Sequence, residues 1–201
     1  MKNNSLRFKI IFELQAFLYI GGGLMSFLYF ARHGQTVWNV ENKICGKTDI
    51  ALTEAGHLQA IELGKKIKTD NIKIDEILYS PLIRAADTAR HIHEQTGIPM
   101  RMEALLVEQC FGKYEATPRD NPDFFEARQC FVDSYNGGES MLHLAQRIYN
   151  LLDRLKNDGK TYLLVAHGGI ARVVNSYFFD MTNEEYGKFK LENCEILRYE
   201  F

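Results

Sequence analysis

Two apolar pentapeptides each run into a histidine followed by glycine, and no other feature limits the fold as tightly. Phe27-Leu28-Tyr29-Phe30-Ala31 leads into Arg32-His33-Gly34-Gln35-Thr36, and Tyr162-Leu163-Leu164-Val165-Ala166 leads into His167-Gly168-Gly169. Short unbroken apolar runs closed by glycine read as buried strands. If both strands are parallel, both histidines stand at carboxyl ends, the edge where open α/β sheets place their ligands. The chain then brings two imidazoles and at least one guanidinium to one crevice, and such a crevice suits a phosphoryl group.

The rest of the chain supplies helices for that sheet. Thr53 caps a helix running to about Lys68, with Ala60, Leu63, Gly64 and Ile67 on one face. A strand is expected over 75–79. Ser80 then caps a helix with Pro81 at its first position and Ala85, Ala86, Ala89 and Ile92 inward, ended by Gly97. A short strand follows over 98–103. Residues 104–138 read as irregular, with one helix near 122–131. Ser140 to Lys156 is strongly helical, with Met141, Leu144, Ala145, Ile148, Leu151, Leu152 and Leu155 inward and Gly159 as the stop. After the strand over 161–166 come helices over 169–178 and 183–188 and a last strand near 195–199. Strand and helix alternate, so a three-layer α/β/α sandwich around a mainly parallel sheet is expected.

The bulk numbers narrow the function. A chain of 201 residues, 46% hydrophobic, can bury one substantial core, and residues 25–201 are expected to form one domain. Net charge is -2 and the pI about 6.3. Neither nucleic acid nor an anionic membrane is therefore attracted globally, and an anionic substrate must be held by local positive charge. Cys45, Cys110, Cys130 and Cys194 show no metal-binding spacing and read as free thiols in a reducing cytoplasm. His91 and His93, two apart on a helix, do not share a face and read as solvated, as do His57 and His143. Residues 1–24 carry a basic start and an apolar stretch interrupted by Glu13 and Gln15, with no small-x-small cleavage site. Gly21-Gly22-Gly23 before Leu24-Met25 is what a purine-rich ribosome-binding site looks like when translated. Met25 is thus the expected start, and residues 1–24 a translated leader or extension.

Arg32-His33-Gly34-Gln35-Thr36 with Trp38-Asn39 closely resembles the histidine phosphatase superfamily, which includes phosphoglycerate mutases. Four later segments follow that family's order: Ser80-Pro81-Leu82-Ile83-Arg84-Ala85, the acidic stretch from Leu106 to Glu115, Gly137-Gly138-Glu139-Ser140, and Val165-Ala166-His167-Gly168-Gly169. Five motifs in order form a specific signal. The resemblance, from about Met25 to the end, implies a phosphoglycerate mutase-like sandwich and catalysis through a phosphohistidine. Such chemistry needs an in-line nucleophile, positive charge on the equatorial oxygens and an acid for the leaving group. His33 is the candidate nucleophile. Arg32 and Arg84 are the candidate phosphate clamps, since a guanidinium offers a planar fork that lysine lacks. His167 is expected to donate to the phosphoryl oxygens. Glu108 is the candidate acid and Glu115 its rival in the same loop; the resemblance favours Glu108, and physics alone does not choose. Gln35, Thr36, Asn39, Gly46 and Gly168 complete the expected substrate contacts. Cys45 stands where the family usually has glutamine or threonine. No metal or cofactor is implied.

The resemblance covers hydrolysis and mutase transfer. Classical mutases carry a longer insertion after the acidic motif, with paired arginines for the substrate carboxylate. Here only Gly112 to Gly137 separates the motifs, and Arg119 and Arg128 are isolated. A short lid excludes water poorly, which a mutase cannot tolerate. The expected activity is therefore a phosphoric monoester hydrolase acting on a small phosphorylated metabolite. Mutase-type transfer and a non-catalytic sensor of phosphorylated ligands are the alternatives. Phe124, Phe125, Phe131 and Tyr135 either line a lid or pack the loop, with packing preferred.

Overall fold

The computed structural model describes residues 26–201. The expected leader 1–24 and start at Met25 lie outside them. Among the described residues five strands form one sheet: β1 (Phe27–Arg32), β2 (Glu76–Tyr79), β3 (Met100–Met102), β4 (Tyr162–Ala166) and β5 (Ile196–Glu200), in the order β3-β2-β4-β1-β5. All neighbours are parallel except β5, which pairs antiparallel with β1 at the edge.

Among the described residues seven helices accompany the sheet: α1 (Val37–Val40), α2 (Glu54–Thr69), α3 (Ile83–Thr96), α4 (Pro122–Ala127), α5 (Met141–Lys156), α6 (Gly168–Phe178) and α7 (Asn183–Lys188). The pleat divides the strand side chains between two cores. Leu28, Phe30, Leu164 and Ala166 pack with Leu144, Ile148 and Leu151 of α5 and with Ile170 and Val174 of α6. Ala31, Ile77, Leu163 and Val165 pack on the other side with Leu63 and Ile67 of α2 and with Ala85, Ala89 and Ile92 of α3. The sandwich is thus three-layered. The chain leaves β1 toward the α2–α3 layer and leaves β4 toward the α5–α6 layer. Those opposite exits open a crevice at the carboxyl ends of two adjacent strands.

Thr53 and Ser140 cap their helices through side-chain oxygens that accept from Gly56 N and His143 N. The entry to α3 differs from expectation. The helix opens at Ile83, with Leu82 as N-cap and no side-chain cap of its own. The Asp49 carboxylate supplies an acceptor from outside, taking the Ile83 N–H at 2.7 Å. The inner face of α3 also differs. Arg84 and Thr88 are fully buried beside Ala85, Ala89 and Ile92, whereas Ala86 is half-buried.

The irregular segment holds two single 3-10 turns, Ala104–Leu106 and Gly112–Tyr114, and α4. It packs a third, smaller core of Ile44, Phe111, Tyr114, Phe124 and Tyr135. The surface histidines are also engaged. His57 Nδ1 and His91 Nε2 approach to 2.9 Å between α2 and α3, and His93 Nδ1 donates to Ile98 O beyond the end of α3.

Candidate active site

β1 and β4 run side by side with Arg32 opposite Ala166, and His33 N donates to Ala166 O at 2.9 Å. This register brings His33 and His167 together, both buried, with ring centroids 5.2 Å apart and planes inclined by 57°. His33 Nδ1 lies 2.7 Å from Gly34 O. A carbonyl only accepts, so Nδ1 carries the proton and Nε2 keeps its lone pair. His167 Nε2 meets the Ser80 hydroxyl at 2.7 Å. Ser80 is held at the end of β2 by its N–H to Val165 O. That hydroxyl thus orients His167 as well as accepting the Leu82 N–H.

Arg84 enters from the first turn of α3. Its Nη1 donates to Thr48 O at 2.9 Å and its Nη2 to Gly46 O at 2.7 Å. Arg32, at the end of β1, donates through Nη1 to Leu191 O. Burial, then the neighbouring Arg119, pushes its guanidinium down to about 10. Both imidazoles are held well below their ordinary value, first by burial and then by the nearby Arg84. They are neutral at pH 7. Among the described residues, three buried side-chain polar atoms lack a partner: Arg32 Nε, Arg84 Nε and His167 Nδ1. Leaving such groups unpaired is costly, and all three belong to this one edge.

Glu108 and Glu115 separate cleanly. Glu108 lies on the wall of a cavity of about 500 Å³ that also exposes Arg32 and His33. Its two oxygens accept the N–H groups of Gln109 and Gly169, each at 2.9 Å. Glu115 is spent on architecture. It accepts from the N–H groups of Gly46, Lys47, Thr48 and Phe111 and from the Thr48 hydroxyl.

Asn39, Gly168 and Cys45 line the cavity with Glu108, whereas Gln35, Thr36, Gly46, Arg84 and His167 do not. Gln35 Oε1 accepts the Thr53 hydroxyl, and Thr36 is buried in a reciprocal cap with Asn39. Gly46 holds Arg84 through its carbonyl and Glu115 through its N–H. A Cβ there would stand 2.1 Å from Glu115 Oε1, so only glycine fits. Arg84 and His167 have no exposed surface, and the His167 ring packs 5.2 Å from that of His33, which lines the cavity. Phe124 does both of the things weighed for the aromatic residues: it packs the small core and faces the cavity beside the half-exposed Phe125.

Sequence reasoning missed Asn193, whose Nδ2 donates to His33 O at 2.8 Å and to Asn39 Oδ1. It also missed Arg172, which stands on α6 and lines the cavity. Among the described residues, no group of three or more His, Cys, Asp or Glu side chains is placed to hold a metal ion, and no helix is long and apolar enough to cross a membrane.

The family model of the histidine phosphatase superfamily (branch 1) matches residues 28–201. A protein of Erwinia tasmaniensis named "Probable phosphoglycerate mutase GpmB" is 32% identical over 180 residues, covering 85% of this chain and 83% of that one. A phosphoserine phosphatase from Entamoeba histolytica, solved with 3-phosphoglyceric acid, superposes with a TM-score of 0.74 at 30% identity, covering 87% and 90% of the two chains. A mycobacterial glucosyl-3-phosphoglycerate phosphatase solved with VO3 gives a TM-score of 0.76 at 25% identity, covering 86% and 90%.

Proposed function

The chain belongs to branch 1 of the histidine phosphatase superfamily, and we propose that it is a phosphomonoesterase hydrolysing a small phosphorylated metabolite through a phosphohistidine on His33. The observation that carries this reading is the trio of unpartnered buried atoms, Arg32 Nε, Arg84 Nε and His167 Nδ1, in residues that all act on or pack against the His33 imidazole, whose Nδ1 carries the proton. A phosphoryl group offers three equatorial oxygens and an electrophilic centre, which answers all four.

In the first step His33 Nε2 attacks phosphorus, and the bond from phosphorus to the ester oxygen breaks. Glu108, protonated, hands its proton to the departing alkoxide. Arg32 and Arg84 donate to the equatorial oxygens. With the Ser80 hydroxyl donating to His167 Nε2, the ring proton sits on Nδ1, which donates to the same group. In the second step water attacks the phosphohistidine and Glu108 takes its proton. Inorganic phosphate leaves, and His33 regains its lone pair. The guanidiniums carry the positive charge, so turnover is expected to persist in EDTA; inactivation by chelation with rescue by a divalent metal would overturn this scheme.

The mutase reading is kept because the curated relative is named a phosphoglycerate mutase. The deciding experiment is a screen of small phosphomonoesters, with 2,3-bisphosphoglycerate as a separate addition. Release of inorganic phosphate, lost in His33→Ala together with an acid-labile, base-stable phosphoenzyme, supports hydrolysis. Isomerisation of phosphoglycerates without release replaces it with the mutase reading. Tight binding with neither outcome leaves a phospho-ligand sensor.

A further inference from the structure

Asn193 stands in the turn between α7 and β5, and this turn closes over Arg32 and His33. Leu191 O accepts from Arg32 Nη1 at 2.8 Å. Arg32 N donates to Glu195 O, and Arg32 O accepts from Cys194 N. The turn carries its own brace: Glu192 N donates to Glu195 Oε2 at 2.8 Å, and Glu195 N to Glu192 O. Asn193 reaches from this frame into the site. Its Nδ2 donates to His33 O at 2.8 Å and to Asn39 Oδ1 at 3.2 Å.

Both acceptors bear on the chemistry. His33 O and Gly34 N belong to one peptide plane, and Gly34 N donates to the Thr88 hydroxyl at 3.0 Å. The plane is gripped at its oxygen by Asn193 and at its N–H by Thr88. A peptide is rigid about its C–N bond, so two such bonds fix its tilt. The next carbonyl, Gly34 O, is the acceptor that aims His33 Nδ1 and thereby points Nε2. A shift of the plane is therefore carried into the direction of the attacking nitrogen. Asn39 Oδ1 takes two N–H groups, one from Thr36 N at 3.0 Å and one from Asn193. The Asn39 NH2 is then left for the cavity that Asn39 lines with His33. Asn193 keeps no donor for a substrate. The two protons of its NH2 are committed to His33 and Asn39, and its amide oxygen is an acceptor, which an oxyanion repels.

We propose that Asn193 is a positioning residue, which sets the attack direction of His33 through the peptide between residues 33 and 34 and holds the Asn39 amide with its NH2 toward the phosphoryl group. This role rests on the phosphatase reading, since His33 must be a nucleophile for its aim to matter.

The test is a double-variant cycle of Asn193→Ala and Asn39→Ala, with kcat and KM for p-nitrophenyl phosphate measured well below each protein's unfolding midpoint. Asn193→Ala is expected to lower kcat/KM about tenfold, mainly through kcat, as for an interaction that counts in the transition state. In the Asn39→Ala background the same change should cost about threefold or less, because one of its two actions is already gone. A merely structural residue would lower the unfolding midpoint and leave kcat and KM in place. A kcat within twofold of wild type for Asn193→Ala, or losses that multiply in the double variant, would overturn the role and leave the phosphatase standing. If Asn193→Ala does not fold, Asn193→Asp, which keeps the side-chain size and removes both donors, decides by the same cycle. Its added charge acts with and without Asn39 and cancels. If no phosphate is released from any ester, the phosphatase reading fails. Calorimetric affinities for orthovanadate, which accepts an imidazole as apical ligand, then decide: an about tenfold loss that shrinks without Asn39 supports the positioning, and multiplying losses or no loss sink it.

Discussion

The five donors around Glu115 leave it little capacity to move a proton, while Glu108 accepts only two and faces the cavity. The two carboxylates should therefore fail differently when changed to amides. Glu108→Gln is expected to cripple an alkyl phosphate, whose poor leaving group needs a proton, and to spare the first step with p-nitrophenyl phosphate. A burst of nitrophenolate followed by slow turnover should appear, because hydrolysis of the phosphohistidine lacks its base. Glu115→Gln should show no burst. It turns an NH2 toward backbone donors and should cost about 2–3 kcal/mol in urea unfolding. A burst from Glu115→Gln, with none from Glu108→Gln, would exchange the two roles. Sequence order could name both glutamates and could not rank them by chemistry. Their ranking depends on Gly46, Lys47 and Thr48, which lie more than sixty positions away. Asn193 was hidden for the same reason, since its partner His33 is 160 positions distant.

The helices α2, α5, α6 and α7 were legible to within a residue or two, because each carries an apolar stripe or a capping residue that acts locally. The entry to α3 was not. Ser80-Pro81 looks like a helix start, yet the Ser80 hydroxyl is drawn to His167 and the acceptor for Ile83 comes from Asp49, two distant residues that no local pattern reports. Residues 104–138 follow the same rule: Ile44 and the aromatic cluster, and the bridge from Lys43 to Pro118, fix them from outside. At the start of α6 the packing is tight enough to test. A Cβ on Gly169 would stand 2.5 Å from Glu108 Oε1. Gly169→Ala should push that carboxylate aside without removing it. The expected result is a fall of roughly 10²-fold in kcat on alkyl phosphates, the size attached to a misplaced catalytic group, with a smaller loss on p-nitrophenyl phosphate. Equal losses on the two substrates would mean that the substitution disturbs the phosphate clamps instead. α5 holds the same loop from below: Arg147 pairs with Glu139 and donates to the carbonyls of Leu105 and Val107.

Across the whole molecule the net charge of -2 conceals a strongly cationic pocket, and that contrast sets the response to acid. His33 and His167 are buried neutral, with proton affinity lowered from the ordinary 6.5 by burial and by Arg84 and Arg32. In the unfolded chain both regain that ordinary value. Below it the unfolded state binds more protons than the folded one, so stability is fully present above pH 6.5 and falls as pH drops toward the depressed folded values. Each site contributes a slope of up to about 1.4 kcal/mol per pH unit, so moving from pH 7 to 5.5 should cost about 2.5 kcal/mol from the pair. The measurement is urea unfolding at both pH values for wild type, His33→Gln, His167→Gln and the double variant. The remaining histidines are common to all four proteins and cancel in the comparison. Each single variant should recover about half of the pH-dependent loss and the double variant nearly all of it, whatever its stability at pH 7. If the four proteins lose stability in parallel, both imidazoles accept protons in the folded state, and the cationic surroundings assigned to them are wrong.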